Sequence, residues 1–242
     1  MFAPHTPKQN QLLGGLPAAE YARLLPQLEQ VPLESGRAVY DSGSDNEYVY
    51  FPTDSVVSLV DVMRDGSPAE IAVVGNEGVV GIAVFMGGEI TPSRAVVQNA
   101  GNAYRFKDSV LKREFERGGP LHYLVLQYTQ TLIAQIAQTA VCSRHHSVEQ
   151  QLCRWMLLSL DRLNASELPV TRETIADILG VPHDNVADAA ASLQAAGLIY
   201  CCCDRISVLD RARLEVRVCE CYSVVKRESD RVLNGSAIAR QL

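Results

Sequence analysis

Residues 168–209 read LPVTRETIADILGVPHDNVADAAASLQAAGLIYCCCDRISVL, and the order of patterns in this stretch decides the fold. Thr171 is a residue type that caps helices, and Gly180 allows the sharp turn at which the first helix ends. A second helix ends at Gly197, and the chain then alternates as a β-hairpin that turns near Cys203-Asp204. The apolar positions that would anchor the two helices are Ile175, Ala176, Leu179, Val186, Ala189, Ala190 and Leu193. These patterns predict a winged helix-turn-helix.

The second helix of this motif has a polar face at its start. In a DNA-binding helix-turn-helix, the first residues of the second helix meet base edges in the major groove. The candidate DNA contacts are Arg172 beside the first helix, His183, Asp184, Asn185 and Asp188 on the second, and Arg205 on the wing. The alternative interpretation is a small helical hairpin that is followed by an unrelated β-ribbon.

Length and composition favour a globular protein with two domains. The chain has 242 residues, of which 47% are hydrophobic and 21% charged, and its formal net charge is −6. This mildly acidic balance does not favour nucleic acid or an anionic membrane surface. No apolar run reaches the ~18 residues of a membrane helix, and the first residues lack the apolar core of a secretory signal. Seven cysteines, an odd number, predict no disulfide framework, so we expect a reducing, cytoplasmic location.

The first half of the chain changes from a helical to a strand pattern. Residues 11–30 have apolar positions at near-helical spacing and predict one helix, with Pro17 in its first turn. Residues 31–106 alternate short Val-, Ile- and Tyr-rich runs with turn signals, which predicts a β-sandwich of the jelly-roll type. Asp65-Gly66 predicts a tight hairpin with a primed turn, because that turn favours positive φ at both central residues.

A long helix is predicted for residues 121–142, which contain neither Gly nor Pro. Alternating steps of four and three residues form a coiled-coil seam, and we interpret this seam as a dimer interface. Its members are Leu121, Val125, Tyr128, Leu132, Gln135, Thr139 and Cys142. The alternative is a helix packed on its own sandwich. The predicted domains are a sensor domain at 1–118, a dimerisation helix at 119–145 and a helix-turn-helix domain at 146–242, with a further helix at 145–163.

Several stretches together resemble the Crp/Fnr superfamily of bacterial transcription regulators, over nearly the whole chain from Leu12 to about Leu233. They are YVYFP at 48–52, VVGNEGVVG at 73–81, HSVEQ at 146–150, LQAAGLI at 193–199 and CECY at 219–222. The resemblance implies an α+β protein with a cyclic-nucleotide-binding-like jelly roll, a long dimerisation helix and a C-terminal winged helix-turn-helix. It also implies a homodimer that binds a two-fold symmetric double-stranded DNA operator, and RNA polymerase as a further partner.

The sensor domain departs from its cyclic-nucleotide-binding relatives at two motifs. Where those relatives hold the ribose with a Gly-Glu pair, this chain has Gly81-Ile82, and their Arg-Ser or Arg-Thr pair is replaced by Ser93-Arg94-Ala95. A shift of one residue along a strand turns the arginine to the opposite face. The oxygen-sensing relatives have N-terminal cysteines for an iron–sulfur cluster, and no cysteine precedes Cys142 here. No cofactor is therefore predicted; the signal is unknown, and a different small ligand in the jelly roll is one possibility.

The predicted recognition helix also departs from the family, whose DNA-reading members place an acidic residue between two basic ones. His183 and Asp188 stand at the basic positions, whereas Asp184 keeps the acidic role and could accept from a cytosine amino group. Residues 168–209 hold two basic and five acidic side chains, which opposes phosphate binding. The flanking basic residues that could compensate on the same face are Arg144, Arg154, Arg211, Arg213, Arg217 and Lys226. An alternative function is a dimeric module whose winged helix binds a protein.

The remaining cysteines and histidines are interpreted as structural. Cys201, Cys202 and Cys203 in the wing could share a thiol switch or metal site with Cys219 and Cys221, but small buried apolar residues are the commoner role of cysteine. His145, His146 and Glu149 could form a helical metal pair, although solvated positions are the simpler interpretation. We therefore predict no metal site. Because no catalytic motif stands out, we predict no enzymatic activity.

Overall fold

The computed structural model describes residues 5–87, 91–163, 165–202 and 204–239, with side chains as far as residue 231. Its N-terminal segment contains two short helices, α1 (Gln11–Gly14) and α2 (Ala18–Leu24), instead of the single predicted helix. Pro17 is the N-cap of α2, so it separates the two helices rather than standing inside one. A 3-10 turn at Leu25–Gln27 then leads into the first strand, which begins at Glu29.

Two antiparallel sheets form the predicted sandwich. The strands are β1 (Glu29–Leu33), β2 (Ala38–Tyr40), β3 (Tyr48–Pro52), β4 (Val56–Val62), β5 (Pro68–Val74), β6 (Arg94–Asn99) and β7 (Gly101–Lys107). One sheet has the strand order β1-β7-β3 and the other the order β2-β6-β4-β5. Side chains such as Phe51, Val57 and Phe106 are buried in the core between the sheets. Strand alternation along β6 is typical, with buried and half-buried residues in turn.

The hairpin between β4 and β5 is present, but its turn is not the predicted one. Met63 and Ser67 close the loop with a backbone bond of 2.9 Å, so three residues lie between them. Within this loop only Gly66 has a positive φ, at 88°. No non-glycine residue of the described chain has a positive φ. The Asp65 side chain accepts bonds from the Ser67 N–H and hydroxyl. This is the three-residue type of hairpin, in which one left-handed residue follows the turn.

The long helix is confirmed, but its seam belongs to the core of its own chain. α3 (Asp108–Arg117) is followed by α4 (Pro120–His145). The seam residues Leu121, Val125, Tyr128, Leu132 and Gln135 are at most 3% exposed without any partner chain. Thr139 is half-buried. The predicted dimer contacts at these five buried residues were therefore wrong, and there the alternative of a helix packed on its own sandwich is correct; a dimer contact at Thr139 stays a prediction. A heptad period identifies a buried face but does not identify the surface that covers it.

The C-terminal half has its own core around Trp155 and Met156. Helix α5 (Val148–Arg162) leads into strand β8 (Glu167–Leu168) and the helices α6 (Arg172–Leu179) and α7 (His183–Ala195). Strands β9 (Ile199–Cys202) and β10 (Arg205–Val208) pair with β8 in the order β8-β10-β9. Helices α8 (Arg211–Arg217) and α9 (Glu220–Ala239) complete the described chain, and α9 packs along α4. None of the described helices combines the length and apolar character needed to cross a bilayer.

A buried ion pair joins the two halves of the molecule. The Arg162 guanidinium donates to the Glu77 carboxylate at 2.7 Å, to the Leu158 carbonyl at 2.7 Å and to the Gln135 side-chain carbonyl at 3.2 Å. Glu77 also accepts from the backbone N–H of Gly75. A Cβ at Gly75 would lie only 2.7 Å from Cγ of Arg162, so glycine is needed for this approach. The side chains of Arg162 and Glu77 are 5% and 11% exposed.

Loss of this pair has a predictable cost. We expect Glu77→Ala to lower the free energy of unfolding by about 3–5 kcal/mol, because Arg162 would remain buried without a counter-charge. The matched control is Glu29→Ala, which removes the partner of Arg105 from an exposed pair of similar length, 2.9 Å. This control should cost less than about 1 kcal/mol. Urea denaturation measures both values, and equal losses would contradict the role of the buried pair.

Candidate nucleic-acid interface

The two helices of the helix-turn-helix are built by the residues that the sequence indicated. The Thr171 hydroxyl accepts the backbone N–H of Thr174 at 3.2 Å and so caps α6. Gly180 ends this helix with φ of 64°, a left-handed conformation that disfavours residues with a Cβ. The apolar residues Val186, Ala189, Ala190 and Leu193 fix α7 on the core and are at most 7% exposed. The predicted helix-turn-helix is therefore confirmed.

The first two turns of α7 leave a polar surface open to solvent. His183, Asp184, Asn185 and Asp188 are all exposed, on the side opposite the buried stripe. Asp184 lies in the first turn of α7, where the helix dipole favours a negative charge. The acidic side chain thus stabilises the helix end, and the surface carries two carboxylates within five residues.

The wing is held against α7 and its arginine is already paired. The side-chain carbonyl of Gln194 accepts the backbone N–H of Cys201 at 2.8 Å, which joins α7 to β9. Arg205 on β10 lies 3.4 Å from the Asp204 carboxylate and 3.6 Å from that of Glu167. Its positive charge is therefore partly neutralised within the wing. The predicted turn residue Cys203 lies outside the described residues.

The flanking basic residues do not form a free positive surface around α7. Arg154 is buried, with 7% exposure. Others are engaged in ion pairs: Arg211 with Asp161 and Glu215, Arg217 with Glu149, and Lys226 with Asp161. Within the described part of the chain, Arg144, Arg172 and Arg213 are exposed and have no carboxylate within 4.0 Å. Compensation for the acidic helix is thus limited to a few side chains.

The structure places the two sensor-domain motifs that differ from those of cyclic-nucleotide-binding relatives. Gly81 adopts φ of 101° and Ile82 begins a 3-10 turn. On β6, Ala95 is buried between the sheets, whereas Arg94 is half-buried on the other face and pairs with Asp41 at 2.7 Å. This is the orientation that the one-residue shift predicts. Arg94 is directed away from the interior of the jelly roll.

A cavity lies between the sensor domain and the helix-turn-helix. Its volume is about 410 Å³, and both domains contribute to its lining, including Glu70 and Arg94 from the sheet and Thr174 and Asp177 from α6. The Glu70 carboxylate accepts the Ser58 hydroxyl at 2.5 Å. Desolvation raises the pKa of Glu70 to about 7, although Ser58 and the nearby Arg154 and Arg162 oppose the shift.

Apart from Cys153, which is buried in the core of the winged domain, the described cysteines form two groups. Cys201 and Cys202 stay on the wing, where Cys201 packs against the core of the winged domain. Cys219 and Cys221 instead lie beside Cys142 and His146, with 3.6 Å between the sulfurs of Cys142 and Cys219. A hydrogen bond with the Cys142 thiol lowers the pKa of Cys219 from its usual value.

This second group was not predicted from the sequence, because Cys142 and His146 are far from Cys219 and Cys221 along the chain. His146 was considered only with His145 and Glu149, yet its ring contacts Glu220. The available signal was the four-residue spacing of Cys142 and His146, which places both on one side of a helix end.

Comparisons with known proteins agree with this architecture. Residues 150–217 match the model of the Crp-like helix-turn-helix domain. A protein from Eubacterium rectale that is assigned to the crp/fnr family of transcriptional regulators has a similar structure. Its TM-score is 0.67 and its identity 15%, over 85% of this chain and 96% of that chain. A search of curated proteins finds no significant match.

Two further structures support the same conclusion. FixK2 from Bradyrhizobium japonicum has a TM-score of 0.65 at 18% identity, over 79% of this chain and 98% of its own. The c-di-GMP-responsive global regulator CLP of Xanthomonas campestris has a TM-score of 0.63 at 15% identity, over 80% and 99%. The protein thus has the fold of the Crp/Fnr transcription regulators and carries a Crp-like helix-turn-helix domain.

Glu70 makes stability depend on pH. Its folded pKa of about 7 exceeds the unfolded value of 4.5, so the unfolded state releases this proton first and stability falls as pH rises from 4.5 to 7. Because Glu70 is half-buried, we expect Glu70→Gln to stabilise by only about 1–2 kcal/mol at pH 8, and by nothing near pH 4.5. Thermal unfolding at both pH values measures this difference, with Glu34→Gln at an exposed site as control. A pH-independent effect would contradict the assignment.

Proposed function

We propose that this protein is a homodimeric, DNA-binding transcription regulator of the Crp/Fnr type. The observation that carries the proposal is the match of residues 150–217 to the Crp-like helix-turn-helix domain, together with the open polar start of α7. In such motifs the second helix enters the major groove, and a dimer presents two of these helices to two half-sites. The DNA ligand is accordingly a two-fold symmetric duplex operator.

The base-contacting groups in this proposal are His183, Asp184, Asn185 and Asp188. Asp184 can accept a hydrogen bond from the amino group of cytosine, and Asn185 can both donate and accept. A His183 imidazole can donate to an acceptor on guanine or adenine. These contacts depend on hydrogen-bond matching more than on charge, which suits a helix that carries carboxylates.

Phosphate contacts are assigned to the exposed arginines. Arg172 stands at the first position of α6 and has no carboxylate partner within 4.0 Å among the described residues. Arg205 could contact a phosphate only in exchange for its pairs with Asp204 and Glu167. Few phosphates are then neutralised, so we expect a shallower salt dependence than a strongly basic regulator would have.

A different face of α4 is proposed as the dimer interface. Leu126, Ile133 and Val141 are 45%, 51% and 46% exposed, although they are large and apolar. Ala137 is exposed between them. At 3.6 residues per turn, residues 126, 133, 137 and 141 lie on one face of the helix, away from the seam that faces the sandwich. Two copies of α4 could bury this strip against each other.

The signal is proposed to be something other than a cyclic nucleotide. Ile82 cannot supply the carboxylate that holds a ribose, and Arg94 pairs with Asp41 on the outer face of its sheet. RNA polymerase remains an expected partner of a regulator of this type.

The DNA-binding proposal can be tested with the wild-type protein and one matched pair of variants. The operator is first selected from a random duplex pool. We expect His183→Ala to weaken operator binding by about 1–3 kcal/mol, the usual value of a base contact. His5→Ala, which changes the same residue type in the sensor domain, should bind as the wild type does. Fluorescence anisotropy measures both, and equal affinities would remove His183 from the contacts.

A salt titration on random duplex tests the broader proposal. We expect binding at about 50 mM salt with a negative slope of log affinity against log salt. The absence of any binding at this salt concentration would contradict the proposal and favour a protein partner for the winged helix.

The dimer proposal has its own test. Val141→Glu should convert the protein to a monomer, because a carboxylate would be buried against its symmetry mate. Val216→Glu makes the same change at an apolar side chain in α8 that is 85% exposed, and should leave the dimer intact. Light scattering after size exclusion measures the mass. A dimer that survives Val141→Glu would place the interface elsewhere.

A further inference from the structure

Four potential metal ligands meet at the junction of α4 and α9. They are Cys142 in the last turn of α4, His146 immediately after that helix, Cys219 immediately before α9, and Cys221 in its first turn. The three sulfurs and the imidazole nitrogen all lie within 4.8 Å of one another. The cysteines are buried, and the His146 side chain is 14% exposed.

The distances within this group are close to the edges of a zinc-centred tetrahedron. Zinc–sulfur bonds of about 2.3 Å and zinc–nitrogen bonds of about 2.0 Å place two sulfurs ~3.8 Å apart and a sulfur and a nitrogen ~3.5 Å apart. Here the Cys142 and Cys219 sulfurs are 3.6 Å apart, and Cys221 Sγ is 3.5 Å from Nδ1 of His146. Only small movements are needed to bring all four atoms onto one ion.

The surrounding groups orient the ligands as a second shell does. Nε2 of His146 lies 3.3 Å from the Glu220 carboxylate, so Nδ1 is directed toward the cysteines. Metal-binding histidines usually have such a partner on their other nitrogen. The Gln138 amide donates to the Cys221 sulfur at 3.0 Å. These contacts hold the Cys221 sulfur and the His146 ring in fixed positions.

The electrostatic surroundings suit an anionic metal cluster. Three thiolates and one zinc ion carry a net charge of −1 when the imidazole is neutral. Cys219 stands at the N-terminus of a 20-residue helix, where the dipole favours negative charge. Arg154 is buried, with 7% exposure, and its Nε has no hydrogen-bond partner among the described residues. Its positive charge acts on Cys142 and favours the thiolate form there. A buried cation beside the cysteines would balance the cluster.

We propose that Cys142, His146, Cys219 and Cys221 bind one zinc ion, which fastens the start of α9 to the end of α4. This site replaces the sequence-based expectation of no metal. Zinc is favoured because three thiolates and an imidazole form one of its closed structural coordination sets. Binding releases the thiol protons, and no oxidation or reduction is involved. The position implies a structural role, since no ligand place is left for water or substrate.

The full-length protein, purified without added chelator, tests this proposal. We expect about one zinc ion per chain by mass spectrometry of the metal, and at least a tenfold loss of zinc in Cys219→Ser. Cys202→Ser, which removes an exposed thiol on the wing, should retain the zinc. Zinc that is absent from the wild type, or that persists in Cys219→Ser, would overturn the site.

A second measurement does not depend on the folding of a variant. Wild-type protein stripped with a chelator is titrated with Co²⁺ under reducing conditions. We expect intense visible absorption and a thiolate-to-cobalt charge-transfer band, which saturate at about one equivalent and disappear on addition of Zn²⁺. A weak octahedral spectrum contradicts the proposal. So does an intact mass from non-reducing purification that shows a Cys142–Cys219 disulfide and no metal.

Discussion

The fold depends on the burial of one guanidinium. Arg162 lies near the end of the first helix of the winged domain, while its partners Glu77 and Gln135 belong to the sandwich and to α4. An unpaired buried charge is expensive, whereas a fully hydrogen-bonded one is tolerated only in a single geometry. The three parts of the molecule therefore have to meet in one arrangement. Gly75 serves the same constraint, because a Cβ there would collide with Arg162. A Cβ at Gly78 would lie 2.3 Å from the Tyr128 ring, so this glycine permits a second close contact, with α4.

Local signals in the sequence predicted local structure well. The cap at Thr171, the left-handed Gly180 and the apolar spacing of α7 are properties of neighbouring residues, so the helix-turn-helix could be predicted without knowledge of the rest. The seam of α4 could not be assigned in this way, because a period of 3.5 residues is the same for a helix facing its own sheet and one facing a second chain. Contacts between distant segments were also beyond reach: Cys142 and Cys219 are 77 positions apart.

Several arginines of the winged domain form ion pairs with carboxylates of the same domain. Arg205, Arg211 and Arg217 each face a carboxylate, so the excess of acidic residues over 168–209 is not offset by a surrounding basic surface. This arrangement could not be inferred from a count of charges, because the count includes arginines whose fields cancel at short range. In the proposed DNA complex, a helix-turn-helix of this kind relies on shape and hydrogen-bond complementarity to the duplex. Little long-range electrostatic attraction guides its approach to the DNA.

Burial of the α4 seam inside one chain also has a consequence for assembly. Each chain contains its own hydrophobic cores, one that joins the sandwich to Leu121 and Leu132 of α4 and a second in the winged domain. Folding can then be a unimolecular process that precedes any encounter between copies, unlike that of obligate dimers, which have no stable folded monomer. If two copies associate through the exposed strip of α4 proposed above, association and dissociation are reversible events between folded partners. The concentration of the protein then controls the proportion of dimers without changing the fraction of chains that are folded.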